Sequence, residues 1–118
     1  MSLESAISDL QETLTSARSS ANWRWLVRQR LSAVRQALKD ENFESWDGWL
    51  AARTGTADRE RRQLLARITA VGTGVLDRLD TDRMAVEVRR LLADVEHYRQ
   101  RVHDLIYDSV ALEIGGSE

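Results

Sequence analysis

From Met84 onward an apolar or small residue recurs in alternating steps of four and three, at Val88, Leu91, Val95, Tyr98, Val102, Leu105, Ser109 and Leu112. This four-heptad seam predicts one long C-terminal helix that packs against other helices. A shorter seam at the other end, Leu3, Ile7, Leu10, Leu14 and Ala17, predicts a first helix capped by Ser2, with Glu4 at its positive end and Arg18-Ser19-Ser20 closing it. Between them, Trp23, Leu26, Val27, Leu31, Val34, Ala37 and Leu38 form the broad stripe of a docked helix from an Asn22 cap to about Lys39.

The acidic stretch Asp40 to Glu44 ends the second helix. A short helix capped by Ser45 and carrying Trp46, Trp49 and Leu50 follows, terminated at Thr54-Gly55-Thr56. A third long helix then restarts at Thr56, with Asp58 and Glu60 in its first turn, and shows its core face at Leu64, Leu65, Ile68, Val71, Val75, Leu76 and Leu79. Gly72 and Gly74 interrupt it at about 1 kcal/mol each relative to alanine, marking a kink or a close helix crossing. Asp80-Thr81-Asp82 turns the chain into the last helix, which stops at Gly115-Gly116.

These elements predict an all-α fold: an antiparallel four-helix bundle, up-down-up-down, with a short extra helix between helices two and three, forming a single domain over residues 1–118. The lengths do not match. At 1.5 Å per residue the last helix is about 46 Å long and the second about 26 Å, so the last helix overhangs its neighbours unless the first helix or another subunit covers it. In heptad terms Val88, Val95 and Val102 occupy a positions and Leu91, Tyr98, Leu105 and Leu112 d positions, the β-branched a and leucine d combination of a parallel two-stranded coil. Yet Ala85, Leu92 and Ile106 at e widen the stripe toward a bundle. The flanking charges of a parallel dimer also conflict, since Asp94 with Arg99 attracts while Asp108 with Glu113 repels.

Composition agrees with an all-helical reading and narrows the chemistry. There is no proline and no cysteine, which excludes disulfides and thiolate metal sites. No secretory leader or run of about 20 apolar residues is present, so a soluble cytoplasmic protein without a transmembrane segment is expected. The net charge of −2 gives no strong case for a dedicated nucleic-acid binder. Of the 17 basic residues only Lys39 is lysine, a bias that a GC-rich genome also produces.

Candidate chemistry is local. Residues 18–39 hold Arg18, Arg24, Arg28, Arg30, Arg35 and Lys39 with no acid, and Trp25 projects opposite the apolar stripe. A basic helix with an exposed tryptophan suits an acidic protein surface, phosphates or anionic head groups. Neutralisation by Glu4, Asp9, Glu12 or the 40–47 segment is the simpler reading of the same face. Arg30 falls inside the apolar stripe and must snorkel or pair. Asp94 and His97 form an acid-x-x-His pair, but the first three helices carry no histidine, so no metal site and no cofactor are expected.

Glu41-x-x-Glu44 followed by Asp77-x-x-Asp80 resembles the acidic Mg²⁺ motifs of the all-α, MazG-like nucleotide pyrophosphatases. That resemblance implies a Mg²⁺-dependent phosphohydrolase; acids placed at helix boundaries explain the same residues. No phosphate loop or catalytic triad is present. The expected role is a protein–protein interaction or adaptor module, self-associating as a dimer and open to a further protein partner. Its interface would comprise Trp25, Arg24, Arg28 and Arg35 on helix two with Leu105, Ile106 and Leu112 on the long helix.

Overall fold

The computed structural model describes residues 2–16, 21–40, 51–77 and 80–116, with side chains described throughout except at 51–54, 106 and 108–116. The described chain is helical and holds no strand: α1 spans Leu3–Thr15, α2 Trp23–Lys39, α3 Ala51–Gly74 and α4 Thr81–Gly116. The molecule is elongated, about 60 × 21 × 21 Å. Its long dimension matches α4, whose 36 residues extend about 54 Å at 1.5 Å per residue.

Helices α1 and α4 start where the sequence supplies a partner for their orphan amides. Ser2 Oγ accepts from Ser5 N at 3.1 Å, and Asp80 Oδ1 accepts from Arg83 N at 3.0 Å, both N-cap geometries. Asn22 makes no such side-chain cap to α2. That helix is instead tied down by its first residue, since the Trp23 indole Nε1 donates to the Thr13 carbonyl of α1 at 2.9 Å.

Helix α1 packs on α2, α2 on α3 and α3 on α4, and a smaller contact returns from α4 to α1. The core runs down the centre. From α1 come Leu3, Ala6, Ile7, Leu10 and Leu14, and from α2 Trp23, Val27, Leu31, Val34 and Leu38. Helix α4 contributes most, burying Ala85 and Leu92 at its e positions alongside Met84, Val88, Leu91, Val95, Tyr98 and Val102. The stripe is therefore wider than a two-helix seam, as packing against more than one neighbour requires.

Helix α3 departs most from expectation. It is one helix through Thr54-Gly55-Thr56, where the sequence suggested a stop and restart. Within it, the Asp58 carboxylate accepts from Arg61 at 2.6 Å and also pairs with Arg62, i,i+3 and i,i+4 links along the helix. At its other end α3 stops at Gly74 rather than near Leu79, and a turn follows in which Asp77 N donates to Gly74 O. Neither Gly72 nor Gly74 marks a close crossing, because a Cβ at either would meet nothing within 4 Å. Leu76, read as core, is 45% exposed. The expected short helix and its tryptophans, the Arg18-Ser19-Ser20 stop and Leu79 lie outside the described residues.

Candidate functional site

Among the described residues, two grooves and a charged strip bring the candidate residues together. The strip is on α2. Trp25 is 52% exposed, on the side away from the core, and Arg28 is exposed beside it. Arg24 and Arg35 are partly buried. Arg35 is held: its Nε donates to Thr69 Oγ1 of α3 at 2.9 Å, and that hydroxyl donates in turn to the Leu65 carbonyl at 3.0 Å.

The described ion pairs lie elsewhere. Arg67 meets Asp94 at 2.8 Å, Arg99 meets Glu96 at 3.2 Å, and Arg101 meets Glu60, all on α3 and α4. No described pair brings Glu4, Asp9 or Glu12 to Arg28 or Arg35. Several charges of α3 and α4 are thus matched among themselves, whereas no described ion pair involves Arg28 or Arg35 of the α2 strip.

Between α2 and α3 the strip borders a groove of about 210 Å³. Leu31 and Ile68 give it an apolar floor; Arg28, Ser32 and Arg35 form one wall and Thr69, Gly72 and Thr73 the other. Sequence reading located the arginines but not the α3 wall. Its trace in the sequence is the small, hydroxyl-bearing run Thr69-x-x-Gly72-Thr73, which a core-stripe reading passes over because Ile68 and Val71 dominate it.

The second groove, about 330 Å³, lies between the first half of α3 and the second half of α4. Ala57, Tyr98, Val102 and Leu105 make it apolar, and Glu60 with Arg101 sits at its rim. Tyr98 is fully buried, Leu105 is half-buried and the nearby Tyr107 is 69% exposed. Of the other interface residues expected on α4, the side chains of Ile106 and Leu112 lie outside the described residues.

The remaining candidates resolve into structural roles. Arg30 is partly exposed, with its Nε buried and unpartnered, so its stem lines the core side of α2 while the head reaches outward. Asp94, next to His97 on α4, is engaged by Arg67. Among the described residues no three His, Asp or Glu side chains gather as a metal would require. No described helix is long and apolar enough to cross a membrane.

Of the four acids in the Mg²⁺-like pattern, Glu41 and Glu44 lie outside the described residues, Asp77 is exposed, and Asp80 caps α4. The capping role makes a quantitative prediction. Asp80→Ala is expected to cost about 1 kcal/mol of stability, read by urea denaturation, whereas Asp80→Asn, which retains the acceptor oxygen, should cost less. Equal losses in the two variants would mean that the carboxylate's charge, not its cap bond, matters there.

No protein-family model, curated protein or solved structure matches this chain.

Proposed function

We propose that the chain is a helical interaction module that associates with a second copy of itself through the distal α3–α4 groove. The observation that carries this reading is the apolar lining of that groove by Ala57, Tyr98, Val102 and Leu105, between α3 and α4. Ala57 and Leu105 keep part of that apolar lining accessible beside the buried Tyr98 and Val102, and a two-fold copy laid on the same face would cover it. The rim pair Glu60 with Arg101 carries both signs of charge, which lets the same surface meet itself without repulsion.

Within one chain the reading takes the helices as an up-down-up-down bundle. It is supported by partners that run in opposite directions along the chain: Trp23 with Thr13, and Glu60 and Arg67 with Arg101 and Asp94. A helical connection over 45–50 would complete the bundle end. The α2 strip with Trp25 and Arg24 leaves room for a different protein partner on the opposite half of the molecule.

Light scattering across a concentration series tests the self-association. At tens of micromolar the expected mass is twice the 13.5 kDa of one chain, and Leu105→Glu should return it to one chain with helicity retained, because a carboxylate in the contact has no partner. A single-chain mass at every concentration overturns the proposal. So does a Leu105→Glu variant that still dimerises.

A further inference from the structure

We infer that the α2–α3 groove is an oxyanion site that takes the phosphate group of a small organic phosphate. The inference stands apart from the self-association reading, since its α3 residues, Thr69 to Thr73, lie about three turns along α3 from Thr56 to Glu60 of the distal groove.

The donor chemistry is suited to phosphate. Arginine's planar fork presents parallel N–H groups that match two oxygens of a phosphate. Arg35 is pre-set for this: Thr69 holds its Nε, leaving the two Nη groups without a partner among the described residues. Pinning one nitrogen removes part of the rotamer entropy that an arginine otherwise loses on binding. Arg28 stands two turns earlier on the same face of α2, about 10.5 Å along the axis, and lines the same groove as Arg35. Arg28, too, makes no ion pair with a described residue.

The surroundings favour a compact anion over a bulky one. Among the described residues no carboxylate lines the groove, and the described acids nearest in the chain, Asp40 and Asp77, are not part of its lining. Asp40 is itself engaged by the Gln36 amide at 2.9 Å. Ser32 adds a hydroxyl from α2. Gly72 matters by what it lacks: nothing lies within 4 Å of the position its Cβ would take, so the space between the arginines stays open. The volume of about 210 Å³ accommodates a phosphate or diphosphate with part of its organic group, while Leu31 and Ile68 supply a floor that excludes water from one side and strengthens each charged hydrogen bond.

Calorimetric titration of the full chain with inorganic pyrophosphate, and separately with ADP, tests the site. Saturable binding of both at low salt is expected, weakening as salt rises because the groove is solvent-facing. Arg35→Ala and Arg28→Ala should each weaken binding about 10-fold or more, the scale of losing one charge-assisted contact. Thr69→Val should weaken it by a smaller factor and Thr69→Ser restore it, a rescue that separates positioning of Arg35 from any general effect on packing. Gly72→Leu keeps both arginines and favours helix, yet fills the groove, and should also lower affinity. Far-UV circular dichroism confirms that each variant folds. Absence of saturable binding at millimolar pyrophosphate in the folded wild-type chain overturns the inference, as does affinity unchanged in the folded Arg28→Ala, Arg35→Ala double variant.

Discussion

Trp23→Ala is expected to cost about 3–5 kcal/mol, the scale of emptying a large buried aromatic site, and to lower Tm by roughly 10 °C or more. Folded domains of this kind hold only about 5–15 kcal/mol in total, so the variant should stand at the edge of unfolding at physiological temperature. The side chain is 1% exposed and begins α2, and it joins that helix to α1 both by packing and by its Nε1 bond to the Thr13 carbonyl.

The two contributions are separable. The Thr13 carbonyl also accepts from Ser16 N at 3.2 Å and from Ser16 Oγ at 2.6 Å, so losing the indole donor does not orphan it. The large penalty for an unsatisfied buried acceptor therefore does not arise. Trp23→Phe, which removes the donor but keeps most of the ring, is accordingly expected to lose only about 1–2 kcal/mol. Urea denaturation followed by circular dichroism measures both. A phenylalanine variant as unstable as the alanine one would show that the hydrogen bond, not the buried volume, fastens α1 to α2.

Leu92→Asp should be comparably severe, at about 3 kcal/mol or more, because it removes a buried side chain and leaves an unpaired carboxylate among apolar neighbours. Leu92 is 2% exposed, at the e position of the α4 heptads. On a two-stranded coil that position flanks the seam and a charge there is mild; in this core it faces α4's other neighbours.

The variant also carries a pH signature. Desolvation raises the pKa of a buried carboxyl above its unfolded value of about 3.9. The folded form then binds more protons than the unfolded one, so stability falls as pH rises between the two pKa values. The deficit relative to wild type should thus be larger at neutral pH than in mild acid. A loss under about 1 kcal/mol with no pH dependence would place residue 92 at an exposed flank and argue for a coil rather than a bundle.

How much of this was legible in the chain differs by element. The α1, α2 and α4 stripes were readable because each helix buries one continuous face, and a period near 3.6 or 3.5 residues records that face directly. Helix α3 was legible in its core face but not in its bounds. It buries Leu64 and Ile68, with Val75 just past its end, and only partly covers Ala57, Leu65 and Val71, while arginines occupy much of its surface, so its periodicity is weak and Gly55 looked like a boundary. The helix nonetheless runs through Gly55 unbroken, since a single glycine weakens a helix by only about 1 kcal/mol relative to alanine. The Trp25 strip was legible as a basic face, but its α3 counterpart was not.

The sequence by itself determined that the chain is helical and where its main apolar faces lie. These follow from proline-free composition and from the local repeat, which each helix carries within itself. Only the tertiary structure decided which charges are matched, that Thr69 holds Arg35, and that Ala57 meets Tyr98 and Val102 in one groove. Those are relations between residues far apart in the chain, created when one helix is set against another at a particular rotation and height, and no single helix's pattern contains them.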